Sequence, residues 1–469
     1  MVPVLRFAGE RVLVMGLGKS GLSAAAALRA GGAQVIVWDD NTATRSAAVA
    51  QGWTAMASGE RALDGVKAII WSPGVPHTHP KPHPLAVQAR AANIPLVCDV
   101  DLLLEAQPDA AVVAITGTNG KSTTTALTAH LFKHAGRKCA VGGNLGIPAL
   151  ELDPLGLGGI YVLELSSYQL ELVPHLAAET SALLNITPDH LDRHGGMDGY
   201  ISAKRRIFDT QRIPRTAVIG IDDPICAAMA AELKRDGLHK VTPISVNVAT
   251  PGGVYVDRGQ LIDATDTRPA KIIDLRELPR LPGLHNWQNA AAATAIARSQ
   301  GLSGMEIAAG LRTFGGLAHR QELIGQIANA SFINDSKATN ADATEKALAC
   351  YRNIYWIAGG VAKEGGIDSL KPYFPRIKHA FLIGDAADDF ADTLEGHVPI
   401  TLYEDLESAV EEAGEMALND KLPGATVLLS PACASFDMFK NFEERGEAFR
   451  AEVHALWPQT NAQTNGSAA

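Results

Sequence analysis

Cysteine is scarce in this sequence, and long apolar segments are missing from it. The 469 residues include five cysteines, without C-x-x-C spacing or histidines at metal-ligand spacing, at positions 98, 139, 226, 350 and 433. This spacing argues against disulfides and against a structural zinc site. The N-terminus has no basic flank followed by a long apolar core, and no uncharged apolar run approaches the roughly 18 residues of a membrane span. We therefore expect a soluble, unexported protein of the reducing cytoplasm.

Positive charge is also in short supply. The chain has 41 Lys and Arg against 51 Asp and Glu, which gives a formal net charge of −10 at pH 7. Because no broad basic field is available to attract nucleic acid, we expect no nucleic-acid partner. Any anionic ligand must be bound locally by loops and a few basic side chains, which suits small phosphorylated molecules better than polymers.

The order of predicted elements indicates an α/β fold with three domains. At 469 residues and 46% hydrophobic content, the chain exceeds the size at which a single core keeps growing. Buried strands alternate with helices almost throughout, with breaks near residues 99 and 316. We predict a Rossmann-like N-terminal domain (1–99), a central phosphate-loop ATPase-type α/β domain (100–316) and a C-terminal doubly wound Rossmann-like domain (317–469). Its polar tail, from about residue 460, is predicted to be disordered.

Residues 115–125, ITGTNGKSTTT, have the pattern of a phosphate-binding loop. An apolar strand precedes them, and a helix with apolar residues at three- and four-residue spacing follows. Gly117 and Gly120 allow a tight turn that directs N–H groups at an anion, Lys121 adds a charge, and Ser122 can ligate Mg²⁺. The standard G-x-x-x-x-G-K-[ST] pattern requires a glycine where this chain has Ile115, so the loop is shortened. A glycine-rich turn without a ligand is the alternative.

A second glycine turn, Gly16-Leu17-Gly18-Lys19-Ser20-Gly21, follows the first predicted strand and matches G-x-G-x-x-G. Asp39 ends the next strand at about the distance expected of a ribose-binding acid. Taken alone, this pattern favours a nicotinamide-dependent dehydrogenase. The same geometry serves any diphosphate, and it also occurs where a helix only packs against a strand, so these interpretations stay open here.

Polar residues suited to metal and phosphate chemistry occur together in the central segment. Asn144 follows the phosphate loop, and Glu164 ends an apolar strand, where a carboxylate is well placed to hold Mg²⁺. Asp189 and His190 follow another apolar strand, so His190 is either a ligand, a support for one, or a structural histidine. Lys204 lies in YISAKRRIF, which by itself indicates a solvated basic helix face.

Several motifs, in their order along the chain, resemble those of the Mur ligases of peptidoglycan synthesis. They are TGTNGKST, GNLG, ELSSYQLE, NITPDHLDRHG with YISAKRRIF, LHNWQNAAAA, HR, NDSKATN and SPACASFDMFKNFEERG, preceded by GLGKSG and SPGV. The resemblance covers nearly the whole chain. The middle motifs are shared with other ATP-dependent amide ligases, including folylpolyglutamate synthetases, and imply the reaction class. The outer motifs imply the substrates UDP-N-acetylmuramoyl-L-alanine and D-glutamate.

The resemblance implies that ATP activates a substrate carboxylate as an acyl phosphate, which an amine then attacks. It implies that Lys121 contacts the β- and γ-phosphates and that Asn144 lies near the transferred phosphoryl group. Two Mg²⁺ sites are implied, one with Ser122 and Glu164, the other with His190 and a carbamylated Lys204. The implied ATP-binding residues are Gly117, Thr118, Asn119, Gly120, Lys121, Ser122, Thr123, Asn286, Asn289, Arg320 and Asp335.

The resemblance also implies residues for the other two substrates. Those for the UDP substrate are Gly16, Leu17, Gly18, Lys19, Ser20, Asp39, Ser72 and Gly74. Those for D-glutamate are Lys337, Thr339, Lys363, Ser435, Phe436 and Phe442. Three positions depart from the expected pattern: Asp40 and Asn41 stand where a hydroxyl and an arginine would suit uridine, and Glu364 places an acid beside Lys363.

Alternatives from other classes stay open beside the ligase. One is the dehydrogenase, and another is a regulatory or binding module whose degenerate site binds Mg-ATP without turnover. Within the ligases, the alternative is a relative that accepts a different amino acid or nucleotide-peptide. Asn286 and Asn289, one helical turn apart, either face the nucleotide together or cap a helix. We expect a monomer.

Overall fold

The computed structural model describes residues 1–56, 63–144, 146–363 and 365–458, and the chain divides into two compact units. Met1–Asp274 with Trp287–Leu311 form the first unit, and Leu275–Asn286 with Arg312–Ala469 form the second. The strands form three sheets of five, nine and six strands, so the predicted α/β class is confirmed. Glu364 and the tail from residue 460 lie outside the described residues. Among the helices in the described part, none is long and apolar enough to cross a membrane.

The first sheet is parallel, with the strand order β3-β2-β1-β4-β5. This order, with helices between the strands, is typical of a Rossmann-like half, as predicted. Its elements are β1 (Arg11–Met15), α1 (Lys19–Ala30), β2 (Gln34–Trp38), α2 (Thr42–Ala50), β3 (Thr54–Ala55), β4 (Val66–Trp71), α3 (Pro84–Ala91) and β5 (Leu96–Val97).

The second sheet has the order β14-β13-β12-β11-β10-β9-β6-β8-β7. In this order the strands from β12 to β7 are parallel to one another, and β13 is antiparallel to both β12 and β14. The strands and helices of this part are α4 (Asp99–Ala106), β6 (Ala111–Thr116), α5 (Lys121–His134), β7 (Cys139–Gly143), β8 (Ile160–Glu164), α6 (Ser167–Leu170), β9 (Thr180–Leu183), α7 (Leu191–His194), α8 (Met197–Arg205), β10 (Thr216–Gly220), α9 (Pro224–Asp236), β11 (Lys240–Ser245), β12 (Val254–Asp257), β13 (Gln260–Asp263), β14 (Ala270–Asp274), α10 (Gly283–Ser299) and α11 (Gly304–Thr313).

One hydrophobic cluster runs through both sheets of the first unit. It includes Val12 of β1, Leu163 of β8, and Val100, Leu102 and Leu103 of α4. Because α4 begins at the predicted boundary near residue 99 and packs into this shared core, the two sheets form one compact unit. The domain boundaries near 99 and 316 therefore stay predictions.

The third sheet has the order β15-β16-β20-β17-β18-β19, parallel except for the β15–β16 pair. Along the buried strand β17, Ile354, Trp356 and Ala358 belong to one core cluster and Tyr355 and Ile357 to another. Both faces are thus covered, as the predicted doubly wound fold requires. The elements are β15 (Glu322–Ile327), β16 (Ala330–Asn334), α12 (Ala341–Cys350), β17 (Ile354–Gly359), β18 (Ile377–Ile383), α13 (Ala387–Leu394), β19 (Ile400–Tyr403), α14 (Leu406–Asn419), β20 (Ala425–Leu429) and α15 (Phe442–Leu456).

Candidate active site

The predicted phosphate loop connects the carboxyl end of β6 to the start of α5. Gly120 has a φ of +83°, and a Cβ at this position would lie 2.2 Å from Asn289 Oδ1, so the turn requires glycine. Asn185, after β9, holds the loop: its Oδ1 accepts a hydrogen bond from Asn119 N at 2.8 Å, and its carbonyl accepts one from Thr118 N at 2.9 Å. The predicted strand, loop and helix are confirmed.

Two predicted ATP-binding side chains lie against this loop. Lys121 Nζ donates to Gly117 O at 2.9 Å and to Thr118 O at 2.8 Å, which places the ammonium group at the turn. Asn289 Oδ1 accepts a hydrogen bond from Thr124 Oγ1 at 3.2 Å. The loop therefore has a positive charge and an anchored amide beside backbone N–H groups at a helix N-terminus, which is a suitable environment for phosphate.

Glu164, at the end of β8, is buried beside the loop strand, with 2% of its surface exposed. Its Oε1 accepts a hydrogen bond from Asn144 Nδ2 at 2.9 Å, whereas Oε2 has no hydrogen-bond partner among the described residues. Asn144 N also donates to the Glu164 carbonyl at 2.9 Å. A buried carboxylate oxygen without a donor is unfavourable unless a cation or another ligand binds it. The environment of Glu164 therefore fits the predicted Mg²⁺ ligand.

Lys204 is buried, with 1% of its surface exposed, and its Nζ donates to Gly117 O at 2.8 Å. Burial, assisted by the nearby charge of Lys121, lowers the pKa of Lys204 to about 7. The solvated-face interpretation of YISAKRRIF is therefore wrong for this residue. It suits the neighbouring Arg205, whose half-exposed guanidinium pairs with Glu232 at 2.6 Å.

His190 immediately precedes α7 and has a φ of +52°. Its Nε2 lies 3.4 Å from Asp189 Oδ2, and half of its side chain is exposed. Partial burial lowers the pKa of His190, against the opposing effect of Asp189. Within the described residues, no group of three or more His, Cys, Asp and Glu side chains could hold a metal ion. The predicted sites therefore depend also on ligands of other kinds, the Ser122 hydroxyl and a modified Lys204.

In the first sheet, Asp39 holds the glycine turn to the end of β2. Its carboxylate accepts hydrogen bonds from Leu17 N at 2.8 Å and Asn41 N at 2.9 Å. The residues that depart from the family pattern have structural roles: Asn41 caps α2 through its side chain, and Asp40 Oδ2 lies 3.0 Å from His83 Nε2 at the start of α3. These contacts shape the predicted UDP site.

The glycine turn and the loop after β4 meet at the carboxyl ends of β1 and β4. A Cβ on Gly16 would lie 2.5 Å from Ser72 Cβ, and Ser72 N donates to Met15 O at 2.9 Å. Ligands of open parallel sheets bind at this edge. The structure therefore brings most of the predicted UDP-binding residues together at one end of the sheet. These residues are Gly16, Leu17, Gly18, Lys19, Ser20, Ser72 and Gly74.

The second unit contains the residues predicted for D-glutamate. Lys337 Nζ lies 4.6 Å from the centre of the Phe442 ring, and Lys337 O accepts a hydrogen bond from Thr339 N at 2.9 Å. These three residues therefore lie close together. Of the other predicted residues, Ser435 is buried, whereas Lys363 and Phe436 are exposed.

The same unit contains three residues predicted for ATP. Asp335 is buried and accepts hydrogen bonds from Ser430 Oγ at 2.8 Å and Gln321 N at 3.1 Å. Burial raises the pKa of Asp335 to about 7, against the opposing effects of the hydrogen bonds from Ser430 and Gln321 and of the Arg320 charge. Asn286 Nδ2 donates to Pro282 O at 2.9 Å. These contacts leave the predicted nucleotide roles of Arg320, Asp335 and Asn286 as predictions.

Arg445 of α15 is a buried residue that the sequence analysis missed. Its Nη2 donates to Ser336 O at 2.9 Å and to Cys433 O at 3.0 Å, so it joins two segments that contain predicted D-glutamate residues. Burial lowers the pKa of Arg445 to about 10. The mid-helix Gly446 was the available signal of close packing, since a Cβ there would lie 2.1 Å from His319 Nδ1.

Tyr200 and His194 of the first unit were also missed. The Tyr200 hydroxyl shares a 3.0 Å hydrogen bond with Thr118 Oγ1 of the phosphate loop, and Lys204 Nζ lies 4.8 Å from its ring centre. His194 is buried next to α6. Nothing in a single sequence distinguishes these inward-facing side chains from exposed ones on short helices.

Three family models match successive parts of the chain. Residues 10–98 match the Mur ligase MurD-like N-terminal domain, 115–297 the Mur ligase middle domain, and 319–433 the Mur ligase glutamate ligase domain. Among solved structures, UDP-N-acetylmuramate-alanine ligase MurC of Thermotoga maritima has a TM-score of 0.58 at 18% identity, over 95% of this chain and 99% of that one. MurF of Acinetobacter baumannii has a TM-score of 0.57 at 20% identity, over 76% and 79%. These two likenesses show a shared fold.

The chain belongs to the Mur ligase family, because its similarity to individual members extends over nearly its whole length. One relative is 55% identical over 455 residues, 97% of this chain and 98% of the relative. Another is 52% identical over 461 residues, 97% of each chain. Both relatives are UDP-N-acetylmuramoylalanine--D-glutamate ligases, the first from Paramagnetospirillum magneticum and the second from Rhodospirillum rubrum. The family inferred from the motifs is therefore confirmed.

Proposed function

We propose that this protein is an ATP-dependent ligase that joins D-glutamate to UDP-N-acetylmuramoyl-L-alanine in peptidoglycan precursor synthesis. The relatives that are 55% and 52% identical bear the name of this activity. The structural observation that supports it most directly is the buried Glu164, whose free carboxylate oxygen lies at the same sheet edge as a phosphate loop. Hydride transfer by a dehydrogenase does not require a phosphate loop with a buried acid beside it.

ATP binds at the loop between β6 and α5. Gly117 to Thr123 direct backbone N–H groups and the Lys121 ammonium at the phosphates, and Asn289 stands beside them. The family resemblance assigns Arg320, Asp335 and Asn286 to nucleotide binding as well. Because the phosphoryl group carries spread negative charge during transfer, these residues act by positioning and charge neutralisation.

Ser122 and Glu164 would hold one Mg²⁺, and His190 and Lys204 would hold a second. When bound, the metal would supply positive charge that neutralises the phosphate oxygens. Lys204 becomes a ligand as a carbamate, formed when its neutral amine attacks the carbon of CO₂ and loses a proton. The lowered pKa of the buried amine, about 7, favours the neutral form that this reaction needs.

The reaction converts a poor acyl donor into a good one. A carboxylate oxygen of the UDP substrate attacks the γ-phosphorus of ATP, the bond to the bridging oxygen breaks, and ADP leaves. The amine of D-glutamate attacks the acyl carbon, loses a proton, and expels phosphate with the electrons of the C–O bond. Asn144 lies near the transferred phosphoryl group, beside Glu164.

The other substrates are bound at the outer sites. The β1–α1 turn, Asp39, Ser72 and Gly74 bind the uridine diphosphate, and no hydride chemistry is involved. Lys337, Thr339, Lys363, Ser435, Phe436 and Phe442 surround D-glutamate, whose two carboxylates need cations and hydroxyls. We propose a monomer, because one chain supplies residues for all three substrates. We propose a cytoplasmic location, because the five cysteines are free, as is usual in a reducing compartment.

The test is phosphate release from Mg-ATP with UDP-N-acetylmuramoyl-L-alanine and either D-glutamate, L-glutamate or no amino acid. We expect release that requires both the UDP substrate and D-glutamate. Release with a different amino acid only would keep the ligase mechanism and refute the D-glutamate assignments. A folded protein that binds Mg-ATP without any release would indicate the binding module instead, and an NAD-induced rise in melting temperature would favour the dehydrogenase.

A further inference from the structure

Helix α7 lies between three functional parts of the first unit. It has only four residues (Leu191–His194), begins directly after His190, and is followed by Gly195 and Gly196 at positive φ angles of +70° and +114°. Such a short helix makes few internal hydrogen bonds. Its orientation, and with it that of His190, therefore depends on contacts made by its side chains.

His194 attaches α7 to the segment that follows Glu164. Its ring is buried, with Nε2 2.9 Å from Ser167 Oγ and Nδ1 2.9 Å from Glu171 Oε1. Ser167 begins α6, three residues after Glu164, and Glu171 follows the end of α6. Because both ring nitrogens are bonded, the ring cannot rotate without leaving buried polar groups unpaired.

The Ser167–His194–Glu171 chain has the same order of groups as a hydrolase triad. A nucleophilic serine, however, must reach the substrate. Ser167 is only 3% exposed and lies at the start of a helix. The chain is therefore suited to fixing the position of α7 and not to covalent catalysis.

Arg193 and Glu171 attach the same region to the loop between β4 and α3. Arg193 Nη1 donates to Gly74 O at 2.9 Å and Nη2 to Pro73 O at 3.3 Å. Glu171 Oε2 lies 3.5 Å from His77 Nε2 of that loop. Gly74 is one of the proposed UDP-binding residues, so these contacts join the UDP site to α7.

Tyr168 continues the connection toward His190. The Arg193 guanidinium lies 4.5 Å from the centre of the Tyr168 ring, and the Tyr168 and His190 ring centres are 5.2 Å apart. A continuous set of contacts thus runs from the loop at residues 73–77, through α7 and α6, to the proposed metal ligand His190. The bond between His194 and Ser167 also joins α7 to the segment that follows Glu164.

We propose that Glu171, Arg193 and His194 are positioning residues. They couple the loop between β4 and α3, which binds the UDP substrate, to the end of the second sheet that holds the proposed metal ligands. The proposal rests on the proposed function, because it takes the loop that contains Ser72 and Gly74 as the UDP site. The carbonyls of Pro73 and Gly74 already hold Arg193 in the structure, so a shift of this loop on binding of the UDP substrate moves α7 and with it His190. By reciprocity, ligands bound at the phosphate loop strengthen binding of the UDP substrate.

The test measures the dissociation constant of UDP-N-acetylmuramoyl-L-alanine by titration calorimetry, with and without Mg-ADP. The variants are Glu171→Gln and Arg193→Lys, because lysine keeps the charge but cannot donate to both carbonyls from a planar fork. The matched control is Glu232→Gln, which removes the exposed ion pair with Arg205 in the same unit. We expect wild-type protein and control to show a coupling of at least about 5-fold between the two ligands, and both test variants to reduce it at least about threefold.

Steady-state kinetics provides a second measurement that a purely structural role would not change selectively. We expect the test variants to raise the KM for the UDP substrate and the half-saturating Mg²⁺ concentration together, and to leave the KM for D-glutamate unchanged. Wild-type coupling in folded Arg193→Lys would overturn the proposal, whether or not Glu171→Gln folds. Wild-type protein that fails to bind UDP-N-acetylmuramoyl-L-alanine would instead overturn the proposed function, so the two failures are distinguishable.

Discussion

Replacing Gly120 with alanine should damage nucleotide binding more than it damages the fold. Gly120 precedes α5 with a φ of +83°, and Gly136 follows the same helix with a φ of +71°. At Gly136 an added Cβ would meet no atom of the described part of the chain within 4 Å. Gly136→Ala therefore introduces the same backbone strain at the opposite end of the helix, and is a matched control.

The two substitutions differ in what the new methyl group contacts. Left-handed backbone costs a non-glycine residue about 1–2 kcal/mol in either variant. At Gly120 the methyl would also lie 2.2 Å from Asn289 Oδ1, so Asn289 must move and lose its hydrogen bond from Thr124 Oγ1, worth about 1 kcal/mol. We expect the free energy of unfolding to fall by about 2–3 kcal/mol in Gly120→Ala and by about 1–2 kcal/mol in Gly136→Ala.

The two assays are unfolding in urea, which measures stability, and titration with Mg-ATP, which measures its dissociation constant. Gly120→Ala should weaken Mg-ATP binding at least about 10-fold, equivalent to about 1.4 kcal/mol, because the loop N–H groups and Asn289 both shift. Gly136→Ala should bind Mg-ATP as the wild type does. Equal binding by both variants, with Gly120→Ala folded, would refute the assignment of the nucleotide to this loop.

Three further predictions concern the charged groups near the loop. Lys121→Ala should lower kcat for phosphate release at least about 10²-fold, by analogy with the loss of one preorganised charge stabiliser, and near-normal turnover would remove the loop from the mechanism. Glu164→Gln should raise the Mg²⁺ concentration needed for half-maximal activity at least about 10-fold; an unchanged requirement would exclude Glu164 as a ligand. Lys204 has a pKa of about 7 in the folded protein against an ordinary 10.5. Between these two pH values the unfolded chain binds more protons than the folded protein, so the stability lost by burying Lys204 grows as pH falls toward 7. In CO₂-free, Mg²⁺-free buffer, the stability of Lys204→Met relative to wild type should therefore decrease as pH rises from 7 to 10, and a pH-independent difference in melting temperature would contradict this.

Local sequence patterns predicted the parts of the site that depend on the backbone. The phosphate loop and the β1–α1 turn are each a strand, a glycine turn and a helix, and these patterns are contained within about 20 consecutive residues. Strands predicted from apolar runs also placed Glu164 correctly at a strand end. Such features are predictable because a few neighbouring residues determine them.

The direction of side chains on helices was not predictable in the same way. YISAKRRIF has three consecutive cations, and only the packing of α8 against the phosphate loop buries Lys204 while leaving Arg205 half exposed. Arg445 finds its acceptors on Ser336 and Cys433, the former 109 positions away in the chain. Contacts of this kind depend on tertiary packing, which overrides the amphipathic pattern of a single helix.

Asp39 and Glu164, the acids near the two glycine turns, differ in the hydrogen-bond donors that the protein supplies to them. Each oxygen of Asp39 accepts a backbone N–H, so its charge is balanced within the fold and holds the turn in shape. Glu164 has one amide donor on Oε1 and, among the residues that the structure describes, none on Oε2, although it is almost fully buried. Because an unpaired buried carboxylate oxygen is costly, a cation or another ligand at Glu164 would remove that cost. The unequal pairing therefore supports the proposal that Asp39 shapes its binding site while Glu164 binds a ligand directly, whereas sequence position alone predicted ligand binding for both.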